Sequence, residues 1–348
     1  MHPIQFGYCL PIFASPGARL FRTPNYAQLD SQRTLALGRL ADELGYDSLW
    51  VADHLMLGRD NAILEGWTTL SALAGATHRA KLGMIHQGHF FRHPALHAKM
   101  TATLDQLSGG RFIYFIDAGY GKAEHLAYGL PYPETMEGRL EQLFDGLEIT
   151  LALWQAEAPI SLKTRFFEIK EATATPRPLQ QPHPPVWFGE AHPMILDATA
   201  RLAQGWNTVP RGRAEVQRRL DTLAAACARV GRNFDEIEKS LEIQILIARD
   251  WTTLRQRLQA MIDLAPPTDG LDADLQAFLS GQTDQLPARL ADQWLVGTPE
   301  EVRQQIQSYR DLGITHFLLW FMDAPLEDGM QLFAEQVLPA AKLTKRRA

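Results

Sequence analysis

Four residues that can exchange protons stand where short apolar segments of this chain end. His54 follows Asp53 at the end of one such segment, His86 ends a second, and Asp117 ends a third. An imidazole group titrates near neutral pH and can therefore accept or donate a proton. A carboxyl group at the end of an apolar strand is a further candidate, because burial raises its pKa unless hydrogen bonds stabilise the charge. We predict catalytic roles for His54, Asp117 and His86. The alternative for His54 is a structural residue paired with Asp53.

Other catalytic patterns are not found. The 11 histidines and 2 cysteines lack metal-ligand spacing, so the sequence predicts no metal site. There is no Gly-X-Ser-X-Gly turn for a nucleophilic serine and no phosphate-binding Gly-Lys loop. With only Cys9 and Cys227, a disulfide framework is excluded and a reducing cytoplasm is expected.

The composition is that of a soluble globular enzyme. Hydrophobic residues make up 46% and charged residues 21% of the 348 residues, and the net charge is −6. An acidic chain is not expected to bind nucleic acid. No apolar run approaches the roughly 18–20 residues that a membrane helix needs, and residues 1–4 do not begin a signal peptide.

The candidate residues need a scaffold, and the chain offers strand-like and helix-like segments in alternation. The predicted strands are 4–10, 47–52, 81–86, 111–117, 186–189, 205–209, 241–248 and 315–321. The predicted helices are 28–44, 66–77, 94–107, 135–154, a helix from 193, then 214–230, 299–312 and 328–343. Eight such units predict an α/β fold, a (β/α)8 TIM barrel in a single domain over 1–348. An open doubly wound sheet is the alternative, but the first strand is not followed by a Gly-rich turn.

Two connections are too long for the minimal repeat. They are residues 155–185, after strand 4, and residues 250–294, after strand 7. Long connections in a compact domain are usually lids or extra elements. We expect both to lie near the C-terminal mouth of the barrel, where such enzymes place their active sites.

Several motifs together resemble the luciferase-like flavin monooxygenases. They are LGYDSLWVADH at 44–54, residues 82–84 with 91–94, LDQLSGGRF at 104–112 with 118–120 and 128–129, PPVWFG at 184–189 with 205–207, and VGTPEEV at 296–302. The resemblance covers about residues 4–340. It implies a TIM barrel and a flavin-type cofactor, either reduced FMN with dioxygen or a deazaflavin coenzyme with hydride transfer. It also implies that His54 is similar to a catalytic base of the family.

The resemblance further implies where the cofactor binds. The strand end at His86 and Gln87 faces the flavin ring in the family. The remaining predicted cofactor-binding residues are Ala118, Gly119, Tyr120, Gly189, Glu190, Ala191, His192 and Asn207. Two of these positions depart from the family, because Ala118 replaces an arginine and Ala191 a serine that hold the flavin phosphate. Lys122 and His125 lie close by in the sequence and could replace the lost charge. We therefore expect FMN to be bound loosely and supplied by a separate flavin reductase.

Substrate binding is assigned to residues around the expected mouth: Phe13, Asp53, Phe91, Arg92 and Trp320. The aromatic side chains favour a small organic substrate. Arg92 could hold an anionic group by charge-assisted hydrogen bonds, or it could pair with a neighbouring carboxylate.

The leading functional prediction is an FMN-dependent monooxygenase that forms a homodimer. The alternative is a deazaflavin-dependent oxidoreductase, against which stands the lack of a concentrated Lys/Arg cluster for the polyanionic tail of that coenzyme. The second alternative is a non-catalytic barrel that binds flavin or has no cofactor, suggested by Ala118 and Ala191.

Overall fold

A closed barrel of eight parallel strands forms the centre of the protein, as the sequence predicts. The computed structural model describes residues 2–15, 23–264 and 270–343. The barrel strands are β1 (Gln5–Cys9), β2 (Ser48–Val51), β3 (Lys81–Met84), β4 (Phe112–Asp117), β5 (Val186–Gly189), β6 (Gly205–Thr208), β7 (Glu238–Ile247) and β8 (His316–Phe321). Each strand pairs with the next, and β8 pairs with β1, which closes the sheet. The predicted (β/α)8 TIM barrel is confirmed.

Eight helices cover the outside of the barrel. They are α1 (Ser31–Leu44), α2 (Gly66–Ala76), α3 (Pro94–Ser108), α4 (Met136–Gln155), α5 (Pro193–Leu202), α6 (Arg213–Val230), α7 (Pro299–Asp311) and α8 (Asp328–Gln336). Local sequence fixes their ends. Asp30 accepts two backbone N–H groups at the start of α1, and Gly45 ends that helix in the left-handed conformation. The predicted last helix, 328–343, is divided into α8 and a short helix Leu338–Leu343.

Large aromatic side chains fill the barrel interior. The ring centroids of Trp50 and Trp187 lie 5.5 Å apart, and Phe115 packs against both. Gly83 makes room for this layer, because a Cβ atom there would lie 2.3 Å from the Trp50 ring. The barrel is therefore a packed core, and chemistry is possible only at its ends.

A buried polar network closes the N-terminal end of the barrel. The two ring nitrogens of His316 each lie 2.7 Å from a partner, the Glu238 carboxylate and the Ser48 hydroxyl. Gln5 donates to the same Glu238 oxygen at 2.9 Å. The arrangement has the order of a hydrolase triad, but Ser48 and His316 are completely buried. The network therefore has a structural role, because it links strands β1, β2, β7 and β8 by hydrogen bonds.

The first insertion forms an antiparallel hairpin of Ile160–Lys163 and Glu168–Ala172. It leaves the end of α4 and returns along its outside, where Arg165 pairs with Glu141. The Phe167 ring lies 5.8 Å from that of His89, which belongs to the connection after β3. The tip of the hairpin therefore reaches the mouth side of the barrel.

The second insertion forms the helices Trp251–Leu264, Ala273–Leu279 and Ala288–Gln293, while its residues 265–269 lie outside the described part. It ends in a strand, Trp294–Gly297, that the sequence analysis missed. This strand pairs with residues 244–247 of β7, which extends beyond its neighbour β6. It thereby covers an edge that β7 would otherwise expose. Asn25 donates to the Met261 carbonyl, which ties the insertion to the loop after β1.

The remaining short elements are a strand Gln87–Gly88 beside β4, a helix Lys122–Ala127, and 3-10 turns at Arg59–Asn61, His89–Phe91 and Phe234–Glu236. Among the described helices, none has the length and apolar character that crossing a bilayer requires.

Candidate active site

Side chains from three neighbouring strand ends enclose a small pocket at the C-terminal mouth of the barrel. It is lined by Asp53, His54, His86, Gly88, Phe91, Asp117, Gly119 and Tyr120. Seven of these eight residues were predicted as site residues from the sequence. The enclosed volume is about 20 Å³, enough for one water-sized group such as a hydroxyl or carbonyl oxygen.

His54 is held by a carboxylate that the sequence analysis missed. Its Nδ1 lies 2.7 Å from Oε1 of Glu124, in the helix Lys122–Ala127. The other oxygen of Glu124 accepts the backbone N–H groups of Leu55 and Met56. Although burial opposes it, the bonds from His54 and this backbone hold the pKa of Glu124 below its usual value. An ionised Glu124 fixes the proton of His54 on Nδ1 and leaves Nε2 as the basic nitrogen.

Asp117 ends β4 inside the mouth and is 6% exposed. Its Oδ1 accepts the backbone N–H of Gly119 at 2.7 Å. Burial, with a contribution from the nearby Glu190 carboxylate, raises the pKa of Asp117 to about 7, although the Gly119 bond, His54 and Arg139 oppose the shift. Asp117 can therefore give or take a proton near neutral pH.

Asp53, which also lines the pocket, is hydrogen-bonded to Arg92. The guanidinium donates from both terminal nitrogens to Asp53, at 2.7 and 3.0 Å, and to Glu65 at 2.6 Å. Burial opposes its charge, but the two carboxylates raise the pKa of Arg92. Arg92 is thus paired with neighbouring carboxylates, which is the second of the two arrangements considered from the sequence. The predicted contact between Arg92 and a substrate stays a prediction.

His86 stands between β4 and β5 at the mouth. Its ring meets that of Phe115 edge to face, with centroids 4.4 Å apart, and the Ile85–His86 peptide bond is cis. Gly189 leaves room for these two rings, because a Cβ atom at this position would lie 3.5 Å from Nε2 of His86 and 3.2 Å from the Phe115 ring. Gln87 is fully buried and lies outside the pocket, and its amide has no hydrogen-bond partner among the described residues.

The end of β5 does not offer an open phosphate site. Glu190 has a positive φ of 74°, and its carbonyl accepts the Trp206 indole N–H at 2.8 Å. His192 caps α5 by accepting the Met194 N–H, and its Nε2 lies 3.6 Å from the Glu137 carboxylate. Ala191 supplies no hydroxyl. The carboxylates of Glu190 and Glu137 are close to the start of α5, and His192 already accepts one of its N–H groups. This helix start is therefore less suited to a phosphate than the family pattern implies.

Four further predicted residues lie outside the pocket. They are Ala118, Asn207, Phe13 and Trp320, each at most 6% exposed. Asn207 accepts the Ser240 hydroxyl at 2.7 Å, and Trp320 donates to Glu242 at 2.8 Å. Their predicted ligand contacts stay predictions. Trp320 and Phe13, with centroids 6.1 Å apart, form an inner aromatic wall.

Two exposed cationic side chains follow the end of β6 at the mouth. Arg211 lies in the connection between β6 and α6, and Arg213 is the first residue of α6. Arg213 lies near Ser308 and over the Tyr309 ring, and Arg211 makes no ion pair with any residue of the described ranges.

The sequence analysis missed Glu124, Glu65 and Arg139, which approach the predicted residues only in the folded chain. Glu124 is separated from His54 by 70 residues, and no local pattern distinguishes it from a surface glutamate. For Arg139, the position near the start of α4 offered a weak signal.

Comparison with known proteins shows which family the chain resembles over most of its length. A family model described as luciferase-like monooxygenase matches residues 4–316. The chain is 26% identical to an F420-dependent glucose-6-phosphate dehydrogenase of Microbacterium testaceum, with 99% of each protein covered. F420 is a deazaflavin coenzyme.

Solved structures are similar over nearly the whole chain. An F420-dependent secondary alcohol dehydrogenase superposes with a TM-score of 0.75 at 20% identity, covering 98% of this chain and 99% of that one. A long-chain alkane monooxygenase superposes with a TM-score of 0.78 at 17% identity, covering 99% and 92%. At these identities the similarity shows that both proteins share the fold of this chain.

Proposed function

The chain belongs to the luciferase-like monooxygenase family, and from this premise we propose that it is a deazaflavin-dependent oxidoreductase that interconverts a small alcohol and the corresponding carbonyl compound. The observation that carries the proposal is the His54–Glu124 pair beside the pocket. Oxidation of an alcohol removes a hydride from carbon and a proton from oxygen. A deazaflavin, when bound, supplies the two-electron hydride acceptor.

The chain's own residues account for the proton. His54 Nε2 takes the hydroxyl proton, because Nδ1 is already hydrogen-bonded to Glu124. The resulting imidazolium is stabilised by that carboxylate. Asp117 faces the same pocket and can relay the proton, since its pKa of about 7 allows both protonation states. In the reverse direction His54 donates the proton to the carbonyl oxygen.

Two features of the mouth support a deazaflavin over FMN. FMN depends on a compact phosphate site, but Ala118 and Ala191 lack the expected side chains, and carboxylates flank the start of α5. The exposed Arg211 and Arg213 suit the longer anionic tail of the deazaflavin coenzyme. The relative from Microbacterium testaceum, named as an F420-dependent enzyme, points the same way.

The FMN-dependent monooxygenase predicted from the sequence is the second candidate. It is favoured by the family's name and by the aromatic side chain of Phe91 in the pocket lining. It would require a flavin reductase as a partner, and the predicted homodimer is compatible with either function.

A binding and turnover experiment separates the candidates. The protein is titrated with FMN, reduced FMN and the deazaflavin coenzyme. It is then supplied with a panel of small secondary alcohols while the visible absorbance band of the deazaflavin is followed. We expect tight deazaflavin binding and alcohol-dependent loss of that band. Binding of reduced FMN alone, with dioxygen consumed in the presence of substrate, would establish the monooxygenase instead. Binding of neither cofactor would support the non-catalytic alternative.

A further inference from the structure

The loop that carries His54, the proposed base, is held at two points. On its C-terminal side, the Glu124 carboxylate binds the imidazole and accepts the backbone N–H groups of Leu55 and Met56. On its N-terminal side, the side chain of Asp53 is only 1% exposed and accepts hydrogen bonds with both of its oxygens. The position of the imidazole therefore depends on Asp53 as well as on Glu124.

Arg92 determines where the Asp53 side chain lies. Its two terminal nitrogens donate to the two oxygens of Asp53, at 2.7 and 3.0 Å. The backbone N–H of Gly88 donates to one of these oxygens at 3.0 Å. A bidentate arginine–carboxylate pair fixes both the distance and the orientation of the carboxylate. Asp53 is thereby locked between the end of β2 and the segment that follows β3.

The start of α2 holds the guanidinium of Arg92 in turn. Glu65 caps this helix by accepting two of its backbone N–H groups, and it also accepts from Arg92 at 2.6 Å. The guanidinium lies 5.9 Å from the centroid of the Trp67 ring. The helix contacts the end of β2 directly, because a Cβ atom on Gly66 would lie 2.8 Å from the carbonyl oxygen of Ala52. These bonds join the end of β2, the start of α2 and the connection after β3 into one unit beside the pocket.

Arg92 itself is almost enclosed by this unit. Its side chain is 10% exposed, and both of its terminal nitrogens are bonded to carboxylates. Asp53 and Gly88 line the pocket, whereas Arg92 lies behind them. Burial raises the pKa of Asp53, and the charge of Arg92 opposes this rise. Without Arg92 the buried carboxylate would lose its cation, and it would take up a proton or move towards water.

We propose that Arg92 is a positioning residue for the reaction and not a substrate-binding residue, because through Asp53 it fixes the loop from which His54 reaches the pocket. The inference rests on the proposed function, in which His54 is the base. Loss of Arg92 should then disturb the catalytic step while leaving the binding of the alcohol nearly intact. Neutralising Asp53 as well should restore much of what is lost, since no uncompensated charge then stays buried.

The orientation of His54 can be measured without cofactor or turnover. The nitrogen chemical shifts of a neutral imidazole report which ring nitrogen carries the proton, and the His54 signals are assigned by their loss in His54→Ala. In Arg92→Met these shifts should move towards values averaged over both tautomers, because a displaced ring no longer keeps its bond to Glu124. In the double variant of Arg92→Met and Asp53→Asn they should return towards the wild type. Unchanged shifts in Arg92→Met, or a double variant further from the wild type than Arg92→Met, would overturn the proposal.

Turnover of an alcohol with the deazaflavin coenzyme gives the second measurement. Arg92→Met should lower kcat on the order of 10- to 100-fold, the effect of a small displacement of a catalytic group. KM for the alcohol should change less than about three-fold. Arg92→Lys keeps the charge but cannot form the paired bonds, so it should lose part of kcat and carries the test if Arg92→Met does not fold. A raised KM with an unchanged kcat would show that Arg92 binds the substrate, against the proposal.

The control for lost stability is Arg111→Met. Arg111 precedes β4 at the opposite end of the barrel, and it donates to carbonyl groups at the end of α2 and just after it. Its loss should destabilise the protein but leave kcat and the His54 shifts unchanged. Equal changes in Arg92→Met and Arg111→Met would mean that instability alone disturbs His54, and the proposal would fall. If the wild type oxidises no alcohol with the deazaflavin, the proposed function fails, while the His54 shifts still decide the role of Arg92.

Discussion

His54 Nδ1 and Glu124 Oε1 lie 2.7 Å apart, although 70 residues separate them in the sequence. The same carboxylate accepts the backbone N–H groups of Leu55 and Met56, so one side chain both orients the imidazole and anchors the loop after β2. The side chain of Glu124 is 3% exposed and that of His54 25%. The pair therefore combines a fixed partner with a base that remains accessible.

Replacing Glu124 with glutamine should lower kcat by on the order of 10²-fold. The amide oxygen can still accept the backbone N–H groups, but it cannot stabilise a protonated His54. Steady-state kinetics of the two proteins measures the loss.

The matched control for that variant is Glu134→Gln, which removes an exposed carboxylate paired with Lys122. It should leave kcat within about two-fold. His54→Ala and Glu124→Gln should not be additive when combined, since they act as one unit. Additive losses in the double variant would show that Glu124 acts only by holding the loop.

Asp117→Asn should make stability less dependent on pH. In the folded protein burial raises the pKa of Asp117 to about 7, above that of the unfolded chain, so the folded state retains a proton that the unfolded state releases. This group's stabilising contribution is complete below the unfolded pKa, near 3.9, and is lost as the pH rises through about 7. The free energy of unfolding of the wild type should therefore fall, relative to that of Asp117→Asn, between these values. Urea titrations at pH 4, 5, 6, 7 and 8 measure the difference, and parallel curves for the two proteins would refute the buried, protonated carboxyl.

The strand–helix alternation sufficed to predict the barrel, because each unit is encoded by local periodicity. Asp53, His54, His86 and Asp117 could be placed at the mouth since each ends a barrel strand. Glu124, Glu65 and Arg139 could not, because their importance arises from partners brought close only by the closed barrel. The same holds for the strand Trp294–Gly297, whose four residues offer no periodicity and whose partner is the extended edge of β7.

Glu238→Gln should destabilise the barrel without entering the chemistry. Glu238 accepts from His316 at 2.7 Å and from Gln5 at 2.9 Å, at the end opposite the pocket. The buried His316 would lose its charged acceptor, at a cost of about 1–3 kcal/mol. Urea unfolding measures this loss, with Glu236→Gln as the control, because the Glu236 carboxylate is 62% exposed and lies 3.7 Å from its partner Arg232. Cofactor affinity should not change in either variant.

Arg257→Met should loosen the second insertion while the barrel remains intact. Arg257 belongs to the helix Trp251–Leu264, and its guanidinium donates at 3.0 Å both to the Ile247 carbonyl at the end of β7 and to Asp323 after β8. Asp323 is buried and also accepts the Gly329 N–H, so the arginine joins the insertion to two parts of the barrel mouth. Without it, the helix keeps its apolar packing against Phe278 and its neighbours but loses this polar link.

Hydrogen exchange followed by mass spectrometry should therefore show faster exchange in 251–264 of Arg257→Met, with the barrel strands unchanged. Burial raises the pKa of Asp323 to about 6, although the charge of Arg257 opposes this shift, so the Arg257→Met substitution should raise the pKa of Asp323 further. At low pH Asp323 is protonated in the wild type as well, and its ion pair with Arg257 is then already lost. The difference in exchange between the wild type and Arg257→Met should therefore be smallest at low pH. Arg249→Met is the control, since Arg249 makes only an exposed contact with Glu335 at 3.4 Å. Equal exchange in the two variants would show that apolar packing alone fixes the insertion. Uniformly faster exchange throughout Arg257→Met would instead mean that this arginine supports the whole barrel.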